Sequence, residues 1–213
     1  MRTPALVAGM AILIACGSSS SGNGLNTAPS ITLAGTPYTP KDGGGLSVTN
    51  KSCTVTTLAG PATLSFSALV AGFSSWSGVC GWVKQNSICA SKQNAQFGSL
   101  AIIRGSSTPP GPIQPGTYPI GQTADVSGNL TIVEVSFENL DAACHPVAPY
   151  TTAAGTVTIT QTSPTVKGSA SVTFLDAGGA TVGTFSGNFD VNTCDYQLDL
   201  CGQLAGTCTN TCI

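Results

Sequence analysis

The last third of the chain alternates. At 156–161, Val157 and Ile159 point one way while Thr156, Thr158 and Thr160 point the other. At 166–175, Val166, Ala170, Val172 and Phe174 share a face, and at 182–191 Phe185, Phe189 and Val191 do the same. A period of two residues is the strand period. Asp176-Ala177-Gly178-Gly179 supplies a turn between the second and third runs. Three such runs predict an antiparallel meander with one face buried and one wet.

Upstream, runs at 54–58 and 63–69 are rich in Thr, Val, Leu and Phe and flank Gly60-Pro61, and 100–104 is a further strand candidate. The loop at 105–116 contains four prolines, and Pro115-Gly116 turns the chain into 117–120. At 130–137, Thr131, Val133, Val135 and Phe137 lie on one face. The fold class is therefore all-β: an antiparallel sandwich or barrel-like meander, with the sandwich preferred. One stretch departs from this pattern. Phe73, Trp76, Val79, Cys80 and Val83 fall at helical spacing, with Ser74 or Ser75 placed to cap the start, which predicts a short helix. Gly78 and Gly81 weaken it, at about 1 kcal/mol each relative to Ala.

The segment 17–45 reads differently. Ser18, Ser19, Ser20 and Ser21, then Gly22, Gly24 and Gly43-Gly44-Gly45, with prolines at 29, 37 and 40, predict a flexible linker. Ahead of it, Arg2 and an apolar run at 5–15 have the layout of a secretory signal. The run is too short to span a bilayer, which takes about 20 apolar residues. The organisation expected is a signal at 1–15, a Gly/Ser/Pro linker at 16–45 and one β-rich domain at 46–213.

Leu13-Ile14-Ala15-Cys16 resembles, position by position, the lipobox of bacterial lipoproteins. The resemblance implies cleavage before Cys16, a diacylglyceryl thioether on its sulfur and acylation of the new amino terminus. Two or more acyl chains anchor stably where one does not. Gly17 stands where an inner-membrane retention signal places Asp, which favours the outer membrane of a Gram-negative bacterium. The C-terminal meander and Gly116-Thr117-Tyr118-Pro119-Ile120 resemble uncharacterised β-rich envelope lipoproteins of such bacteria, a likeness that brings no activity with it.

Charged residues are 8% of the chain and the net charge is −2. Neither sign clusters, so nucleic acid is excluded as a partner for want of a basic patch. Of nine cysteines, those other than Cys16 form an even set in an exported chain, which predicts disulfides. Polar turns favour local clasps, Cys80–Cys89 and Cys208–Cys212, with Cys194–Cys201 and a long-range Cys53–Cys144 completing the set. The spacing of Cys194, Cys201, Cys208 and Cys212 is too wide for a zinc site, and Asp190, Asp195 and Asp199 lack the alternate-position pattern of a calcium loop. No metal and no cofactor are expected.

Catalysis would have to use His145, the chain's one histidine, or a carboxylate pair such as Glu134 and Glu138. His145 has no marked partner, no G-x-S-x-G elbow occurs, and Glu138 is expected beyond its strand's end. Trp76, Trp82, Tyr118 and Tyr150 are candidates for a flat surface that takes a glycan or peptide, although a chain with 6% aromatics needs most of them for its core. The expected function is that of a lipid-anchored envelope lipoprotein, a binding or structural module with an envelope protein or glycan as partner. The alternative is an envelope hydrolase.

Overall fold

The computed structural model describes residues 24–57, 60–86, 90–106, 110–126, 129–147, 150–194 and 211–213. The lipobox with Cys16, and Cys89, Cys201 and Cys208, lie outside the described residues. In chain order the strands are β1 (Leu25–Thr27), β2 (Ser30–Leu33), β3 (Thr36–Tyr38), β4 (Asp42–Thr57), β5 (Gly60–Ser74), β6 (Ala90–Ser91), β7 (Gln96–Ser106) and β8 (Gly116–Pro119). They continue with β9 (Gly121–Ala124), β10 (Leu130–Asn139), β11 (Thr152–Gln161), β12 (Thr165–Leu175), β13 (Thr181–Asn192) and β14 (Thr211–Cys212). A single helix, α1, covers Val79–Asn86 among the described residues.

Two antiparallel sheets face each other. The larger runs β3-β2-β13-β12-β11-β8, with β1 added beside β13, and the smaller runs β4-β5-β7-β10-β9. Phe73 of the smaller sheet meets Phe185 and Phe189 of the larger at 5.5 and 6.0 Å between ring centroids, and Tyr38 meets Phe137 at 5.1 Å. The sandwich is the expected one, and no barrel closes. The meander predicted at 156–191 is β11-β12-β13, and its alternating apolar residues are buried in the space between the sheets.

The middle of the smaller sheet is covered on both faces. Residues 65–74 of β5 are buried without interruption. Leu69, Ala71 and Phe73 face the larger sheet, while Phe66, Ala68 and Val70 face a second cluster formed with Leu46, Phe97, Val79 of α1 and the two tryptophans. A strand buried on both sides carries apolar residues at consecutive positions, which is how 68–71 reads.

The linker expected at 16–45 is corrected from Leu25 onward. Ile31, Leu33 and Tyr38 are core residues and Leu46 is buried within β4. The glycines mark close approach. A Cβ on Gly43 would lie 2.8 Å from Val191 Cγ1, and one on Gly45 would lie 2.6 Å from Val166 Cγ2. The start of β4 is pressed against the larger sheet, and only glycine fits there.

The helix also differs from expectation at its start. Phe73 belongs to β5, Ser74 Oγ donates to Trp76 O at 2.7 Å, and Ser75 Oγ accepts from Gln96 N at 2.9 Å. The cap comes from far away in sequence. Asp42, only 4% exposed, accepts from Gly78 N (2.6 Å) and Val79 N (3.1 Å) through Oδ2, and from Gly24 N (2.6 Å) and Gly43 N (2.8 Å) through Oδ1.

The cysteine pairing is corrected as well. Cys144 is bonded to Cys212, with Cα atoms 5.7 Å apart, so neither Cys53–Cys144 nor Cys208–Cys212 forms. Cys53, Cys80 and Cys194 are also in disulfides, and the Cys80 and Cys194 sulfurs approach to 2.7 Å.

Asp42→Ala leaves four N–H groups, two of them buried, without their acceptor and is expected to cost about 3–4 kcal/mol in urea unfolding. A loss under about 1 kcal/mol would remove the central role given to this carboxylate. The Cys144–Cys212 bridge spans a sequence separation of 68, so Cys212→Ser is expected to destabilise by up to about 4 kcal/mol on the loop-entropy model. Comparing thermal unfolding of that variant with the parent under oxidising conditions checks the long-range role of Cys212.

Candidate functional site

The outer face of the smaller sheet carries a cleft where aromatic rings and charges converge. The turn after β5 sets Trp76, and Gly78, at φ +77°, leads the chain into α1. One turn into the helix, Trp82 N donates to Gly78 O at 2.9 Å, bringing its ring against Trp76 at 5.7 Å and 70°. Phe97 of β7 lies 6.0 Å from Trp76 on the sheet side. Trp76 Nε1 is buried with no hydrogen-bond partner among the described residues.

Lys92 is placed by a small parallel pair, β6 with β14, which the Cys144–Cys212 bridge fastens to the loop after β10. Ile213 N donates to Ser91 O and Gln93 N to Ile213 O, both at 2.9 Å. The Lys92 ammonium then stands 6.0 Å from the Trp76 ring centre and 5.8 Å from that of Trp82, within the range of cation–π attraction. With Glu138 and Leu140, these residues wall a narrow cleft with room for about one water molecule.

Glu134 and Glu138 are the chain's only glutamates, and both lie within β10, which extends through Asn139. The expectation that Glu138 falls beyond the strand is corrected. The buried residues of β10 are Val133, Val135 and Phe137, so by alternation both glutamates take the opposite face. Between them Ser136 Oγ meets Ser99 Oγ at 2.6 Å. Neither glutamate makes a hydrogen bond or an ion pair with a described residue, and both are half-buried. Burial pushes the Glu134 carboxyl up to about 7 and raises that of Glu138. Past the end of β9 the free edge of β10 is closed by Tyr150, whose hydroxyl accepts from Phe137 N at 2.9 Å and donates to Val135 O at 3.4 Å. The Tyr150 phenol is raised to about 12, by burial first.

The remaining candidates lie apart. The His145 side chain is 79% exposed and stands 3.8 Å from Asp141, which is held below the usual carboxylate range by backbone N–H bonds from His145 and Ala143. Tyr118 sits on β8, at the edge of the larger sheet, and donates to Gln114 O, while Tyr150 packs on Phe174 at 4.5 Å. The four aromatics do not form one surface; the tryptophans alone do. Asp190 is paired with Lys167 at 3.0 Å, and Asp195 and Asp199 lie outside the described residues. Lys92 and Asp42 went unnoticed in the sequence. Nothing local marks Lys92, and Asp42 sits in a stretch whose glycines suggest a linker. No family model matches this chain, and no curated protein or solved structure matches it either.

A carboxyl raised in the folded state binds its proton more tightly there than in the unfolded chain. Between about pH 4.5 and 7 the folded state then holds more protons, and stability falls as pH rises through that window. Solvent reaches Glu134, so the effect is screened to about 1 kcal/mol. Glu134→Gln should make this slope shallower, Glu138 keeping its own share, and urea midpoints of parent and variant at pH 5 and pH 8 measure it. Parallel slopes in the two proteins would contradict the assignment.

Proposed function

We propose that this protein is a lipid-anchored binding module of a bacterial cell envelope, tethered at Cys16 and presenting the Trp76–Trp82 cleft to an envelope partner. The observation that carries the binding half is the placement of the tryptophans. The chain has only two. Both are kept from the inter-sheet core and meet edge to face beside a lysine and a glutamate. Buried aromatic anchors with a polar rim are what interfaces use for affinity.

The tether rests on Leu13-Ile14-Ala15-Cys16. Among the described residues no helix is long and apolar enough to cross a membrane. The Cys144–Cys212 bridge supports an oxidising compartment. Gly17 after Cys16 favours the outer membrane.

Cys16→Ser is expected to abolish metabolic labelling by a palmitate analogue and to move the protein from the membrane to the soluble fraction of the native cell. Equal labelling of variant and parent would sink the tether.

A further inference from the structure

We propose that the end of the sandwich where Gly24 leaves the fold rests on the lipid headgroups, with Lys41 and the Trp76–Trp82 pair at headgroup level. This rests on the tether at Cys16 and names the bilayer as the surface that this end of the domain meets.

The length of chain between the lipid and the fold is the argument. Seven residues, 17–23, separate Cys16 from Gly24. Fully extended, they carry Gly24 no more than about 28 Å from the acylated cysteine. Gly24 itself has no slack. Its N–H donates to Asp42 Oδ1 at 2.6 Å, its carbonyl accepts from Asn192 N at 2.7 Å, and Leu25 pairs with Val191. From Asn192, β13 runs back to Thr181, about 36 Å away. That is longer than the tether. The domain cannot invert, because the turn at 176–179 would enter the bilayer before Gly24 could rise clear of it.

The chemistry at this end suits headgroups. Asp42, the anchor of Gly24, also accepts from Gly78 N at 2.6 Å. Trp76 is two residues from Gly78 in the chain, and Trp82 N donates to the Gly78 carbonyl. Both tryptophans of the chain are thus set close to the root of the tether. Indole rings collect at the level of lipid headgroups, which accommodate an apolar body and a polar N–H together. Charge points the same way. Asp42 is buried among N–H groups, and Asp190, beside β1, holds Lys167 at 3.0 Å. Lys41, next to Asp42 in the chain, is exposed and makes no ion pair with a described residue. A lysine near an anionic bilayer strengthens its attachment about fivefold.

The full-length lipidated protein is reconstituted in vesicles of phosphatidylethanolamine and phosphatidylglycerol, and its tryptophan emission is read with and without a nitroxide on the lipid headgroup. Both indoles lie at this end, so the quenching reports on it alone. The headgroup nitroxide should remove at least half of the parent's emission. A Gly/Ser spacer inserted between Gly22 and Asn23, long enough to outreach β13, should cut the quenching at least twofold. Lys41→Glu added to the spacer variant should lower it at least twofold again, because charge then does most to draw this end down; circular dichroism checks that both variants are folded. A parent that floats with the vesicles yet is quenched no more than the doubly altered protein overturns the proposal and leaves the tether standing. A parent that does not float overturns the tether, and this proposal with it.

Discussion

A single buried carboxylate ties together parts of the chain that have no other reason to meet. Asp42 accepts two hydrogen bonds at each oxygen, from Gly24 and Gly43 on one side and from Gly78 and Val79 on the other. Stripping water from an ion costs several kcal/mol, and that cost is met only when its lone pairs are filled. Four charge-assisted bonds, each worth about 1.5–3 kcal/mol, are enough. No lysine or arginine is needed, because the N-terminal end of α1 supplies partial positive charge. Fixing α1 fixes Trp82, fixing residue 24 fixes β1 beside β13, and the edge of the smaller sheet is thereby locked between the helix and the larger sheet.

That lock explains why one half of the fold was open to inspection in the sequence and the other was not. In β11, β12 and β13 one face is wet, so Val157, Ile159, Val172, Phe185 and their neighbours alternate cleanly with Thr and Ser. In β5 and β7 both faces are buried, the period of two is blurred, and only β-rich composition points to a strand. In β1 to β4 the signal was masked by glycine and proline. Ile31, Leu33 and Tyr38 do carry an apolar pattern, but Gly43 and Gly45, small because Val191 and Val166 crowd them, look on paper the same as glycines of a flexible tether. Composition distinguishes a tight place from a loose one only when the neighbours are known.

The cysteines and the candidate site obey the same limit. Local polarity favoured short clasps, whereas Cys212 is bonded to Cys144 far upstream. What selects that pair is β14 lying beside β6 in a small sheet of their own, a tertiary fact with no local trace. Glu134 and Glu138 were legible as a pair because strand spacing puts them on one face. Their lack of partners was not legible, since it depends on where every lysine ends up. Trp76 and Trp82 were legible as a helical stripe, although Trp76 precedes the helix and meets Trp82 across the turn.

In a chain with 8% charged residues, the use of each charge carries weight. The aspartates shape backbone: Asp42 caps α1, Asp125, Asp141 and Asp176 close turns, and Asp190 anchors Lys167 across β12 and β13. Their short side chains suit that work, since one methylene holds the carboxylate against nearby N–H groups. Glutamate reaches too far for it. The chain places its two glutamates together on the outer face of β10, half-buried and unpaired, one of them lining the cleft formed by its two tryptophans. Stability alone would favour glutamine or threonine at both positions, because burying an unpaired carboxyl is a cost with no return inside the fold.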